Sequence, residues 1–528
     1  MAVAGKEADV DASVCPSEKA HIRPSRDLSF YIVLFIAVIP LWSIPPLSWT
    51  FVVYFLRTGH IWSFTWWGKA WFAAALAEAG LASLPEDGFD EETLDGERPG
   101  SPQEEIELLD AEDPRAVDFR TVLRTWVPFS HIRKQEMFEW LYWAIFNARL
   151  PPLESLPTSH RAVLRDTLDM IQKRSGTIIP DGSNPAAKPL LLTLDPVVLS
   201  WRPLAWYLFV AAGDYLTRLH FWYKYHVQLY SKDGFDYLLR VPHGYDIATG
   251  PQPVVFMHGL GLGLLHYVPI LSYLLRNLPD TPILIPLQPH ISQQLFHPTF
   301  LTPKGRKETA ELMRAILLEL GWVDEVAEED LPKNAAAAGK SNKPKGVTML
   351  SHSNGSYTHA WILKAYPEMI TRSCFVDPVT FCSWEGGEEI SYNDSSCART
   401  LTIVKPTDVC YNFIYRRCHN GLQLVMRYFV GMELGVANLL QRHFDWSSNS
   451  LWYEDIPNAR DPSKAKFFLG GNDAILQADR VKRYLTSHGV RKGLWYDPNG
   501  RHGSALNRGG EGLKELTRWL KESQHVGS

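Results

Sequence analysis

VTMLSHSNGSYTHAWIL, residues 347 to 363, carries an apolar run straight into a tight turn and then into a helix, with Ser353 at the apex. A short apolar run bounded by turn formers reads as a buried strand, and the apolar spacing after it reads as a helix. A serine on such a strand-to-helix turn, a nucleophile elbow, holds its hydroxyl at the end of the sheet. The first helical turn then offers backbone N–H groups to any anion formed there. So tight a turn needs small residues two before and two after the serine. Gly355 meets that need, and Ser351 stands where G-x-S-x-G has its first glycine. Ser351 is a rival nucleophile, but that register discards Gly355 from the pattern. Ser353 is therefore preferred. Alone, S-H-S-N-G is also an ordinary Ser- and Asn-rich N-cap, so the order of the surrounding segments decides.

From about Lys224 onward, short β-rich runs alternate with helical spacing, the pattern of a parallel sheet with crossover helices. Tyr225–Tyr230 and Tyr237–Val241 read as an opening hairpin that turns on Lys232-Asp233-Gly234. Val254–Met257, Ile283–Leu287, Val347–Leu350, Cys374–Val376, Lys466–Leu469 and Gly493–Tyr496 read as buried strands. After Val254–Met257 comes His258-Gly259-Leu260-Gly261-Leu262-Gly263, a turn in which glycines let the backbone approach a reacting group. Lys466–Leu469 leads into Gly470-Gly471-Asn472-Asp473. The last strand leads into Asp497-Pro498-Asn499-Gly500-Arg501-His502-Gly503.

The Ser353 turn, the His258-Gly259 turn, Asp473 and His502 occur in an order that resembles the α/β-hydrolase superfamily over roughly residues 224–523. No closer relative is identified. The resemblance implies an α/β fold with a mostly parallel central sheet and a helical lid. It implies Ser353 as nucleophile, His502 as its base, and Asp473 as the acid that fixes the imidazole tautomer and stabilises its charge. It also implies an oxyanion hole made by the backbone N–H groups of Leu260 and Asn354. His258 would shape its loop rather than act as a base. Asp377, in Phe375-Val376-Asp377-Pro378, is the runner-up acid, because some relatives place the acid after that strand. The implied activity is hydrolysis of an ester, thioester or amide with no metal and no organic cofactor. A serine at the apex argues against the epoxide or haloalkane chemistry that an aspartate there would suggest.

The N-terminal half matches no identified family and is read from its residues. Residues 1–27 are polar and mixed in charge, a tail. Residues 28–56 contain no charge and exceed the roughly 20 apolar residues that cross a bilayer as a helix. Pro40, Pro45 and Pro46 sit near the middle, so two geometries stay open: a kinked span, or a hairpin that returns to the same face. The flanking charges do not choose an orientation. Residues 57–115 comprise an aromatic-rich stretch, Ile61–Ala77, suited to a membrane interface, and then an acidic, Pro/Gly-containing linker. Residues 116–223 are expected to be helical, with Val117–Arg149, Ser159–Arg174 and an amphipathic or buried helix at Leu199–Ala212. Asp324–Gly346 reads as a charged surface insert. Residues 384–460 are longer than a crossover needs, and Tyr411–Phe444 has the apolar helical spacing of a lid, or of an ordinary accessory helix pair.

Composition narrows the partners. The net charge is -5 with basic and acidic residues interleaved, so nucleic acid is not expected as a partner. The six cysteines form no CxxC pair, which argues against a zinc ribbon or redox centre and leaves disulfides and free thiols both open. The expectation is a membrane-attached serine hydrolase, a carboxylic ester hydrolase or lipase-like enzyme acting on a lipid or other hydrophobic ester. The membrane and that substrate are its expected partners. A membrane-tethered, catalytically inert domain of the same fold that binds a ligand is the competing reading.

Overall fold

The computed structural model describes residues 26–58, 108–122, 129–189, 191–200, 202–325, 345–382, 418 and 420–522. Its centre is an 8-stranded sheet. The strands are β1 (Gln228–Lys232), β2 (Phe235–Arg240), β3 (Val254–Met257), β4 (Ile283–Pro286), β5 (Val347–His352), β6 (Ile370–Val376), β7 (Ala465–Gly470) and β8 (Leu494–Asp497). They lie in the order β1-β2-β4-β3-β5-β6-β7-β8. β1 and β2 are antiparallel, β2 is antiparallel to β4, and every later pairing is parallel. All six expected strands form, five of them buried and β8 half-buried at the sheet edge, and the opening hairpin turns where the sequence places it. Asp233 at φ 50° and Gly234 at φ 74° supply the two left-handed residues that a two-residue hairpin turn requires.

Period-2 alternation sends each strand's side chains into two separate cores. Val255, Met257, Val347, Met349, Phe375, Phe467 and Leu469 join one apolar cluster, whereas Val254, Phe256, Leu350, Cys374, Val376 and Phe468 join the other. The helices on the described residues are α1 (segments Leu28–Val33, Leu34–Val38 and Ile39–Thr58), α2 (Pro114–Val122), α3 (Lys134–Phe146), α4 (Thr158–Ser175), α5 (Leu204–Tyr225) and α6 (Val268–Asn277). They continue with α7 (Arg306–Glu319), α8 (Gly355–Ala365), α9 (Gly421–Met426, extended by Arg427–Gly431), α10 (Leu434–Arg442), α11 (Ala478–Ser487) and α12 (Glu511–Glu522). α7, α8 and α11 cover the first core, and α6, α12 and the end of α5 cover the second.

A third cluster lies over the ends of the parallel strands. It joins α3 and α4 to Val430, Val436, Leu440 and Phe444, and it takes in Leu260, Tyr357, Val379 and Ile475 from the segments that follow β3, β5, β6 and β7. The second half of the region read as a lid therefore packs on the strand ends. Residues 383–417 and 419 lie outside the described residues, as do the tail, the Trp-rich stretch, the acidic linker up to residue 107 and most of the charged insert.

The uncharged N-terminal stretch is helical throughout. Its Leu34–Val38 segment is π-helical, with Ile39 N–H donating to Leu34 O. The next residue, Pro40, has no N–H and crowds the carbonyl of Ile36, so the wider turn has a local cause. The helix then runs through Pro45 and Pro46 to Thr58 rather than turning back as a hairpin. Many of its apolar side chains are exposed, among them Ile32, Phe35, Ile36 and Leu47. One side packs on α9, where Gly421 N–H donates to Ser29 Oγ at 2.8 Å. A Cβ on Gly421 would lie 2.7 Å from Ser29 O, so glycine permits the close approach. The expected helix at Leu199–Ala212 is instead Leu204–Tyr225, longer by about two turns, and it absorbs Tyr225, the residue expected to open β1.

Candidate active site

Ser353 ends β5 with φ 54°, a left-handed conformation that non-glycine residues seldom hold. The turn is pinned from two sides. Ser353 N–H donates to Val376 O at 3.1 Å, and Ser353 O accepts from Ser356 N–H at 2.9 Å in the first turn of α8. The small residues that the sequence pattern asks for have visible reasons. A Cβ on Gly355 would sit 2.4 Å from Met257 O and 2.7 Å from His258 O, and one on Gly259 would sit 2.8 Å from Ser353 Cβ.

Ser351, the departure from G-x-S-x-G, faces the core. Its Oγ is 2.9 Å from His359 Nδ1, and His359 Nε2 is 3.2 Å from Ser373 Oγ. The extra hydroxyl is satisfied by a buried chain, and burial pushes the His359 pKa down to about 3. This second Ser-His pair is fully enclosed, which removes Ser351 from contention as a surface nucleophile.

His502 and Asp473, expected as base and acid, meet: Nδ1 is 2.6 Å from Asp473 Oδ2. The other oxygen of Asp473 accepts from Ile475 N–H at 2.7 Å and Leu476 N–H at 3.2 Å, so the carboxylate is oriented by its own turn before it orients the imidazole. The loops reach each other because Gly470 and Gly471 carry no side chains. A Cβ on Gly470 would lie 2.8 Å from Arg501 O, and one on Gly471 2.7 Å from Pro498 O. Burial opposes a charge on His502, but the charge and hydrogen bond of Asp473 outweigh it, with a further push from Asp377, and hold its pKa above the ordinary histidine value.

Asp377, the runner-up acid, stands beside them with φ 43°, and the ligand atoms of Asp377, Asp473 and His502 lie within 4.8 Å of one another. It is not the hydrogen-bond partner of His502. Its Oδ1 accepts from Gly470 N–H at 2.9 Å and its Oδ2 from Gly503 N–H at 2.7 Å, so one buried carboxylate clamps the loop of Asp473 to the loop of His502. Burial first, and the charge of Asp473 next, raise its pKa.

His502 is set beside the turn that carries Ser353: its ring lies 5.2 Å, centroid to centroid, from that of His352. The bond between His502 Nε2 and Ser353 Oγ is not formed, since Nε2 is buried and has no partner among the described residues. The N–H groups of Leu260 and Asn354 likewise enter no hydrogen bond among the described residues. The loop of Leu260 is built by neighbours the sequence reading did not weigh. Tyr267 Oη accepts from Gly259 N–H at 2.8 Å and donates to His352 Nδ1 at 2.5 Å, which ties the Leu260 loop to the Ser353 turn. His258 accepts at Nε2 from Gln288 N–H at 3.3 Å and donates from Nδ1 to Gly259 O at 3.0 Å. Burial lowers its pKa to about 4, so it is a neutral loop-shaping residue. His352 stands in plain view within S-H-S; the signal for Tyr267 is only an aromatic eight residues past Gly259.

No family model matches the chain, and no curated protein does. Among solved structures it resembles α/β hydrolases. A carboxylesterase from Bacillus subtilis is 12% identical with a TM-score of 0.34, over 60% of this chain and 99% of that one. A serine hydrolase from the polyaromatic hydrocarbon-degrading bacterium Cycloclasticus zankles is 12% identical with a TM-score of 0.35, over 57% and 99%. A membrane phospholipase A described as a bacterial virulence factor is 11% identical with a TM-score of 0.33, over 60% and 92%. The roles of its residues rest on the geometry above.

Proposed function

We propose that the chain is a membrane-attached serine hydrolase that cleaves an ester bond of a lipid or other hydrophobic substrate. One observation carries the reading: a strained serine at a strand-to-helix turn stands beside a 2.6 Å imidazole–carboxylate pair and two unengaged backbone N–H groups. In this mechanism Ser353 Oγ attacks the substrate carbonyl carbon as His502 Nε2 takes the hydroxyl proton. Leu260 N–H and Asn354 N–H receive the charge that develops on the carbonyl oxygen. Asp473 holds Nδ1–H and so leaves Nε2 as the basic nitrogen. His502 then gives the proton to the departing alkoxide, and a water deprotonated by the same Nε2 releases the acid and restores the serine. The Ser353–His502 hydrogen bond closes when substrate fills the turn, since such contacts are often loose in the absence of ligand.

The preference for a hydrophobic acyl group is supported by the apolar cluster over the strand ends, which includes Leu260 itself. Attachment to a membrane is supported by the length and outward apolar surface of α1. The test is a fluorophosphonate probe on detergent-solubilised, folded protein. Labelling that Ser353→Ala abolishes supports the hydrolase. Absence of labelling of the folded parent chain favours the inert binding domain.

A further inference from the structure

α5 is apolar on its outer face as well as on its inner one. α12 buries Leu513, Leu516, Trp519 and Leu520 and exposes Glu511, Lys514 and Arg518. α5 buries Tyr207, Val210, Phe221 and Tyr225 together with polar Asp214 and Thr217, yet it also presents Leu208, Phe209, Tyr215, Leu216, Trp222 and Tyr223 to solvent, from 54% exposed at Leu208 to 80% at Tyr223. The pairs recur every seven residues, so they hold one face with only slight drift. At 1.5 Å per residue the strip is about 22 Å long.

We propose that this face of α5 docks on the surface of a lipid bilayer, alongside α1, as a second membrane contact. The inference rests on the membrane-attached reading above and gives that attachment a geometry. Two observations select lipid over a protein partner. The first is continuity with the apolar helix. Trp42 of α1 packs edge-on against Tyr428 at 5.8 Å, and Phe429 lies 4.9 Å from Trp206 in the first turn of α5, so one short segment touches both helices. The exposed Phe296 and Leu422 belong to elements joined to that segment: the loop of Phe296 through Gln293, which bonds Phe429 O, and α9 through the chain itself. The second is chemistry. A protein interface carries about one hydrogen bond per 100–200 Å², whereas this strip offers only two tyrosine hydroxyls and one indole N–H along its length. Trp222 and Tyr223 followed by Lys224 are what the boundary between acyl chains and headgroups accommodates.

The consequence for the site is direct. The inner side of α5 packs on the glycine turn of Leu260: a Cβ on Gly213 would lie 3.2 Å from Leu265, and one on Gly263 3.9 Å from Asp214 Oδ1. Docking on α5 therefore places the bilayer one helix diameter from Gly263 and Leu265, on the turn that carries Leu260.

The test uses the full chain reconstituted in phosphatidylcholine vesicles doped with a phospholipid carrying a diazirine on its acyl chain, with photolabelled peptides located by mass spectrometry. Label on the peptides of α1 and of Leu208–Tyr223, above that on α7 across the sheet, is the expected result. Leu216→Glu should bring the α5 label down to the α7 level and leave the α1 label in place. Label on α1 without α5 overturns the docking inference and leaves the membrane anchor standing; label on neither overturns both. Crosslinked dimers through α5 without lipid label assign the face to a second copy and also overturn it.

Discussion

Gly355→Ala tests the turn most sharply, because the obstruction is backbone. The new Cβ would lie 2.4 Å from Met257 O, 2.7 Å from His258 O and 2.7 Å from Met257 C, where ordinary contact begins at 3.4 Å. β3 cannot yield, since Met257 is registered against Ser351 of β5 in the middle of the sheet. α8 must therefore move by about 0.7–1.0 Å, carrying Ser353 and the Asn354 N–H with it, and a misplacement of about 1 Å costs roughly 10²-fold in rate. That is about 2.7 kcal/mol of transition-state stabilisation. The assay is the rate of fluorophosphonate labelling, with kcat/KM on a p-nitrophenyl ester beside it and a thermal melt as control. Gly213→Ala is the companion: its Cβ meets a movable Leu265 methyl at 3.2 Å, and alanine is favoured over glycine in a helix by about 1 kcal/mol. Gly355→Ala with unchanged labelling rate and melting temperature would refute the assignment of Ser353 to this turn.

Three further outcomes follow from the same geometry. Ser351→Ala should keep full probe labelling yet lower stability by about 1–3 kcal/mol, because buried His359 loses its partner at Nδ1 and keeps only Ser373 at Nε2; loss of labelling with an intact fold would return Ser351 to contention. Asp473→Asn should lower kcat by about 10⁴ with little effect on the melt. Asp377→Asn should instead cost about 1–3 kcal/mol of stability, since one amide oxygen cannot accept from both Gly470 and Gly503. Were the two variants to exchange these signatures in melts and kinetics, the assignment of acid and clamp would be reversed. The acid limb of kcat/KM against pH should lie above the ordinary histidine pKa. His502 must be neutral to accept a proton, and its raised pKa keeps it charged, hence inactive, to higher pH. In Asp473→Asn the limb should fall, and an unmoved limb would mean that another group controls it.

The elements of the sheet were legible because buried parallel strands read as apolar runs and each ends in turn residues. The pairing of Asp473 with His502 and the strained turn of Ser353 were legible because each sits in a local run of turn residues at a strand end. The clamp was not. Asp377 and Asp473 each follow a strand, and nothing in the sequence tells which faces the imidazole and which faces two backbone amides, since Gly470 and Gly503 are 93 and 126 residues from Asp377. The tie of Tyr267 to His352 is hidden for the same reason, at a separation of 85.

α5 marks a different limit. Period 3.6 shows which residues share a face, and Leu208, Tyr215, Leu216 and Trp222 plainly do. Periodicity has no sign, however, and the usual assignment of an apolar face to the interior rests on water being the solvent. In α5 the inner face already holds Tyr207, Val210, Phe221 and Tyr225, with Asp214 paired to Arg218 at 2.7 Å and Gly213 set against Leu265 between them. A second apolar stripe is left outward, and on the proposed membrane attachment the bilayer would be a second solvent in which that orientation is favourable. The same reasoning accounts for α1, whose exposed Ile32, Phe35 and Leu47 would be costly in water alone. Both helices touch residues 427–431, and each presents apolar side chains outward in addition to those it buries.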